Sequence, residues 1–487
     1  MIAPASALFN IINLRGSRSI MNIMLLLAPG LPPTIPVWGL AHLCGLLRSL
    51  GHDAHVIDFN LHYGLPMPQD GADWWDIGFA EKFFASKPEL KNRLLQDIMA
   101  NKPDMVAFSA FKCCAGSTLY LGRELKKQAK PPFVVFGGPQ ACRLPRQSEF
   151  SDALVPGEGE LALLDILELA QGRRAWGPVP GAILLRGQEA VFGGPPKLYP
   201  NPDSLPMPDF SDYDLPAYST GMVPFSFNRG CANNCCFCTT RSLWPNFRSL
   251  SAKRIYQEML NTTSKFGAKH LFASCTAVNL NPAVLEELCD RIIAGGIRLS
   301  WEGLGVFGPE LTPELIRKLV KSGCSGLGFG LESASDRILS KMGKPYTAEI
   351  AEKVIRDCFA AGLHLNVNVI LGFPGETVED VEHTKSFLER NGKYIFGGVS
   401  YPHECGIGGN SPMNLEPEKY GIDPATLGDR LSWVSLDKKQ THESRLKLIE
   451  EFAAWARKLG LRIHEPPIAP PQIHMDSPKD PPPYGKT

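Results

Sequence analysis

An excess of charge of one sign is what this chain most clearly lacks: 50 Lys and Arg residues balance 50 Asp and Glu residues. With no long basic run either, a nucleic-acid groove or an anionic membrane surface is not a favoured partner, and a small molecule or a peptide is the expected substrate. No apolar stretch reaches transmembrane length, so no membrane partner is expected. A secreted disulfide framework is disfavoured as well. The 13 cysteines are odd in number and four of them cluster in one loop, which points to metal chemistry in a reducing cytoplasm. Arg15 and Arg18 follow the apolar part of the N-terminal segment, the reverse of a secretory leader, and no small-residue cleavage pattern follows. Residues 1–20 therefore read as a disordered extension. At 487 residues the chain is too long for one ordinary core, and two large domains with attachments are expected, as a monomer.

What is present is a run of thiols: Arg229-Gly230-Cys231-Ala232-Asn233-Asn234-Cys235-Cys236-Phe237-Cys238. Thiolates select iron–sulfur clusters, and three of them spaced C-x3-C-x2-C on a loop entered through Gly230 converge on one four-iron cube while leaving one iron open. An open iron binds and reduces a small molecule, so the loop points to catalysis. The alternative is a zinc knuckle, which needs a fourth Cys or His nearby. None stands at that distance: Cys236 lies between two ligand positions and is expected to point away, and Cys275 is remote.

From Met21 onward, short apolar runs alternate with amphipathic stretches, the pattern of parallel strands and crossover helices. Residues 21–175 read as a Rossmann-like open parallel sheet. Within it, 61–102 is an insertion whose Trp74, Trp75, Phe79, Phe83 and Phe84 form either a binding face or satellite core. Residues 176–220, rich in Pro and Gly, read as an extended linker. A second βα series over 221–395 has about six units, the content of a partial (β/α)6 TIM-type barrel, active at its C-terminal strand ends. A small α/loop region at 396–464 places Tyr401, His403, Glu404 and Cys405 near the barrel mouth, with a helix at 440–459. The Pro-rich tail 465–487 reads as disordered. Ser333 and Thr377 stand where helix N-caps belong.

With Phe237 in the slot before the last cysteine, the loop resembles the radical S-adenosylmethionine (SAM) superfamily. Gly330-Leu331-Glu332-Ser333, the following Lys341-Met342-Gly343-Lys344, and Gly372-Phe373-Pro374-Gly375-Glu376-Thr377 extend the likeness. The resemblance implies a [4Fe-4S] cluster on Cys231, Cys235 and Cys238, and SAM held by Phe237, Glu332, Ser333, Ile370, Gly372 and Pro374. It also implies a reductant such as flavodoxin or ferredoxin. Two departures stand out. Relatives place acidic residues after the second barrel strand, where this chain has Ala273-Ser274-Cys275-Thr276. The arginine expected near the exit of the third is missing from Trp301-Glu302-Gly303, where Glu302 is either a substitute acid or a solvated strand-end carboxylate.

The first half resembles the cobalamin-binding domain of one branch of that superfamily, through Pro29-Gly30-Leu31-Pro32-Pro33-Thr34-Ile35-Pro36, Gly137-Gly138-Pro139-Gln140-Ala141 and Pro156-Gly157-Glu158-Gly159-Glu160. This implies cobalamin contacts from Pro33, Thr34, Ser109, Gly137, Gly138, Gly157 and Glu158. The first loop has no histidine of a D-x-H-x-x-G motif, and His55 reads as an ordinary strand residue, so methylcobalamin is expected His-off. The implied activity is a cobalamin-dependent radical SAM methyltransferase acting on carbon. The same domains also suit a radical enzyme that cyclises, couples or oxidises without methyl transfer, or a cobalamin- or SAM-binding sensor. A methylthiotransferase is disfavoured, because Cys44, Cys113, Cys114 and Cys142 do not match the second cluster of that branch.

Overall fold

The computed structural model describes residues 19–67, 71–199, 201–428 and 430–464. They fall into two units, one ending at Val223 and one beginning at Pro224. The tail 465–487, and all but two residues of the extension 1–20, lie outside the described residues.

In the first unit, β1 (Asn22–Leu27), β2 (Asp53–Asp58), β3 (Met105–Ser109), β4 (Phe133–Gly137) and β5 (Ala153–Val155) pair in parallel in the order β2-β1-β3-β4-β5. Their near-continuous apolar runs follow from burial on both faces. Ile23, Leu25 and Leu27 pack with Leu40, Leu47 and Ile166 from the helices Trp38–Ser49 and Glu160–Ala170. Met24 and Leu26 face the opposite core with Phe108, Phe136, Trp74 and Phe84. The insertion contributes the helices Ile77–Ser86 and Pro88–Met99. Trp74 and Phe84 are fully buried, with Phe79 and Phe83 edge-on to Trp74, so four of the five aromatics belong to core and not to a binding face.

The expected linker 176–220 is more than a connection. β6 (Ile183–Arg186) and β7 (Glu189–Phe192) form a hairpin that extends the first sheet antiparallel from β5. Ile183, Leu184 and Leu185 are buried, and the turn Gly187-Gln188 between two apolar runs was the signal for it.

The second unit is built on a largely parallel sheet in the order β17-β15-β14-β13-β12-β11-β8, whose ends are separate strands, so the barrel is incomplete. Its members are β8 (Met222–Ser226), β11 (His270–Ser274), β12 (Ser300–Gly305), β13 (Cys324–Glu332), β14 (His364–Leu371), β15 (Gly398–Ser400) and β17 (Ile463–His464). A short antiparallel pair, β9 (Asn228–Arg229) with β10 (Arg248–Ser249), and β16 (His403–Glu404) beside β14 complete the strands. The crossover helices start where the sequence offers a side-chain acceptor, and at Asn281-Pro282 and Thr312-Pro313 a proline follows it in the first turn. The region 396–464 is not a separate appendage, because it supplies β15, β16 and β17 to the barrel, along with the helix His442–Lys458. Among the described residues no helix is long and apolar enough to cross a membrane.

Candidate functional site

The cysteine loop leaves the sheet after β8 and returns through the β9–β10 pair, which closes its neck. Thr276, in the run that lacks the expected acid, donates its hydroxyl to Gly230 O at 2.8 Å and so ties the loop to the exit of β11. Backbone N–H groups aim at two of the sulfurs: Asn233 N lies 3.4 Å from Cys231 Sγ, and Thr240 N lies 3.4 Å from Cys238 Sγ. Burial pushes the Cys235 thiol up, Lys344 opposes that shift, and Cys238 and Cys231 add to it. Cys236 points away, as expected from its place in the run. Its Sγ donates to Lys341 O, its backbone N–H donates to Met342 O at 3.0 Å, and it packs with Cys405 and Trp433 while burial pushes its thiol up to about 12. That contact requires a glycine at 343, since a Cβ there would stand 2.9 Å from Asn234 O at φ +75°.

Among the described residues no group of three His, Cys, Asp or Glu converges closely enough for a single ion. Thiolates that each bind a different iron of a cluster stand further apart than the ligands of one ion. Three thiols on one loop, two with amide donors and one beside a buried ammonium, are a donor set that fits a cluster.

The end of β13 faces this loop. Glu332 adopts φ +58°, a left-handed conformation that a non-glycine residue holds only under external constraint, at a bulge against β14. Two contacts supply the constraint. The Tyr346 hydroxyl donates to Gly330 O and Leu331 O, and Lys344 Nζ pairs with Glu332 Oε1 at 2.8 Å with both side chains about nine-tenths buried. Lys344 Nζ also lies 5.6 Å from the centre of the Phe237 ring. Burial works against the ammonium, but Glu332 and Cys235 outweigh it and leave the Lys344 pKa raised. Ser333 is buried and does not cap a helix. Its hydroxyl accepts from Ser335 N, and Ser335 caps Asp336–Met342 in its place, whereas Thr377 does cap Val378–Asn391 as expected.

At the end of β14 the chain turns through Gly372, Phe373 and Pro374, all buried. Glu376 closes that turn, accepting from Gly372 N at 2.6 Å, and burial pushes its carboxyl up to about 8, with Asp380 adding to the shift. Ile370 lies beside it and pairs with His403 of β16. Thus Phe237, Glu332, Ser333, Ile370, Gly372 and Pro374 all belong to the loop and the two strand exits. Glu302 does not. β12 runs on to Gly305, so Glu302 is a half-buried mid-strand residue that accepts from Ser325 Oγ at 3.1 Å, and not a strand-end acid.

In the first unit the order β2-β1-β3 reverses direction between β1 and β3, and ligands of such sheets settle beyond the strand ends at that switch point. Pro33 and Thr34 lie in the loop after β1, Ser109 ends β3, Gly137 ends β4 with Gly138 following it, and Gly157 and Glu158 follow β5, so all seven expected contacts share one rim. Pro33 O and Thr34 O accept from Ser219 N and Thr220 N, which fixes the proline-rich loop. His55 is on β2 and pairs with Asp53. A histidine not singled out in the sequence, His42, stacks on Trp38 and meets Glu160 at 2.9 Å in full burial.

Residues 225–388 match the profile described as the Radical SAM superfamily. This stretch is a radical SAM domain. An uncharacterised methyltransferase of Pyrococcus horikoshii is 28% identical over 430 residues, covering 83% of this chain and 87% of its own length. An anaerobic magnesium-protoporphyrin IX monomethyl ester cyclase of Cereibacter sphaeroides is 25% identical over 373 residues, covering 72% of this chain but 55% of the cyclase. Among solved structures, the radical SAM methyltransferase TsrM of Kitasatospora setae, with cobalamin and a [4Fe-4S] cluster bound, superposes with a TM-score of 0.65 at 18% identity, over 85% of this chain and 77% of its own.

Three residues around the radical SAM domain's strand exits escaped the sequence reading in their roles: Lys344, Arg445 and Gln440. Arg445 had a signal. It stands in line with Ile449, Phe452 and Ala456 on the buried stripe of its helix, where an arginine is out of place unless it has a partner.

Proposed function

We propose that the chain is a cobalamin-dependent radical SAM methyltransferase that methylates an unactivated carbon of a small molecule or peptide. The observation that carries this reading is the meeting of the three-thiol loop with the Lys344–Glu332 pair at the end of β13, in a chain that also has a β2-β1-β3-β4-β5 sheet with its glycine turns on one rim. The Pyrococcus horikoshii relative and the TsrM likeness support it. When bound, the reduced cluster and SAM supply a radical able to take hydrogen from carbon, and methylcobalamin supplies the methyl group.

The chain's own residues have separable tasks. Cys231, Cys235 and Cys238 hold the cluster, and Lys344 offsets negative charge beside Cys235 without exposing the site to water. Glu332 and Ser333 bind polar parts of SAM, while Gly372 and Pro374, with Ile370, bring backbone close to its adenine. Pro33, Thr34, Ser109, Gly137, Gly138, Gly157 and Glu158 receive cobalamin, largely through backbone. A flavodoxin or ferredoxin delivers electrons.

The cyclase relative favours a second reading, in which the same parts serve a radical reaction without methyl transfer. Anaerobic protein loaded with iron, sulfide and cobalamin, given a reductant, SAM with a deuterated methyl group and cell lysate, separates the two. Deuterated methyl in a product, formed together with 5′-deoxyadenosine, is expected. Release of 5′-deoxyadenosine with no deuterium in any product would transfer the case to the second reading, and no release from cluster-loaded protein would favour a sensor.

A further inference from the structure

The segment between β15 and the last helix touches both parts of the candidate site. At one end, β16 pairs His403 with Ile370 and Glu404 with Leu371, and Cys405 N donates to Leu371 O at 3.0 Å. A few residues on, Gly408 N donates to Phe237 O at 3.2 Å and Met413 N to Cys236 O at 3.0 Å, within the cysteine loop. The segment then returns to the SAM turn. The Gln440 amide bridges it, donating to Phe373 O at 3.0 Å and accepting from Gly375 N at 3.0 Å.

Arg445 fastens these contacts. Its side chain is about 1% exposed, Nε donates to Glu404 Oε2 at 3.1 Å, Nη1 donates to Trp433 O at 3.0 Å, and Nη2 donates to Leu431 O. The guanidinium stacks 3.9 Å from the centre of the Trp433 ring, whose Nε1 donates to Cys405 O at 2.8 Å. Glu404 also meets His442 Nδ1 at 2.9 Å. The shaft of Arg445 lies where any side chain at position 372 would go, since a Cβ there would stand 2.5 Å from Arg445 Cγ. Removing one partner of a buried guanidinium–carboxylate pair strands the other charge, and only arginine's planar fork fills three directions and stacks at once.

We propose that residues 403–413 and 431–445 form a clasp that sets the position of the SAM turn relative to the cysteine loop, with Arg445 and Gln440 as its positioning residues. This rests on the reading of those two loops as the SAM and cluster sites. The test uses full-length, cluster-loaded protein under anaerobic conditions, comparing Arg445→Lys and Gln440→Ala with the parent. The readouts are SAM affinity, the change SAM makes to the electron paramagnetic resonance spectrum of the reduced cluster, and the rate at which a chelator removes iron. Arg445→Lys is expected to weaken SAM binding about ten- to a hundredfold, to shift the SAM-induced spectrum and to speed iron loss. Gln440→Ala, which leaves Arg445 in place, is expected to weaken SAM binding about tenfold with iron loss unchanged. Should Arg445→Lys fail to fold, Gln440→Ala still decides. Variants that bind SAM and retain iron like the parent overturn the clasp, whereas a cluster-loaded parent that binds no SAM overturns the reading beneath it.

Discussion

In the proposed function the two units share one task, holding a ligand at the ends of parallel strands, and they bring different materials to it. The first presents mainly backbone: Gly137 and Gly138 at the end of β4, Gly157 after β5, and a proline loop pinned by Ser219 and Thr220. The second presents side chains held in costly states, among them a buried lysine, a left-handed glutamate, a carboxyl pushed up to about 8 and a buried arginine. Backbone rims tolerate change in proportion to the space around each residue, whereas paired buried charges fail together. The units should therefore respond to substitution very differently.

The largest contrast is at the cysteines. Replacing Cys231, Cys235 or Cys238 by Ala is expected to abolish iron retention and SAM cleavage, while Cys236→Ala leaves iron bound; iron and sulfide analysis checks both. Next comes Glu376. Its folded pKa lies above the ordinary 4.5, so between about 4.5 and 8 the native state keeps a proton that the unfolded chain has lost. Stability therefore falls as pH rises through that window, with a slope approaching about 1.4 kcal/mol per pH unit, and levels off above it. Glu376→Gln is expected to remove that slope in denaturant titrations. Lys344→Met leaves Glu332 buried without its partner and is expected to cost about 3 kcal/mol, read from urea midpoints. At Gly372, with φ +71° and Arg445 in the way, alanine is expected to cost about 2 kcal/mol and to weaken SAM binding. The smallest effect belongs to the first unit: Gly138→Ala, at φ +98° with Ala110 O 3.2 Å from the added Cβ, is expected to cost about 1 kcal/mol and to lower cobalamin retention with iron unchanged. If Gly138→Ala proved as damaging as Lys344→Met, the contrast between backbone and side-chain sites would be lost.

Local features carried the parts of this architecture that were legible in the sequence. The thiol spacing, the strand runs from Asn22 to Val155, and the cap at Thr377 are all written within a few residues of where they act. What escaped reading depends on distance along the chain. Glu404 and Arg445 meet across 41 positions, and β17 joins β15 after the whole last helix, so no window of sequence contains either contact. The hairpin at β6 and β7 was different, since its two-residue turn was visible but the surrounding prolines masked it. The misplaced cap at Ser333 has a local cause: β13 continues through Glu332 and the kink that follows delays the helix to Asp336.

The most direct test of the central claim is to measure 5′-deoxyadenosine released from SAM by anaerobically reconstituted protein under a strong reductant, alongside the Cys231→Ala variant. Release by the parent, with iron and sulfide bound, and none by the variant is the predicted result. Equal release by both, or none from a parent carrying a full cluster, would contradict the account.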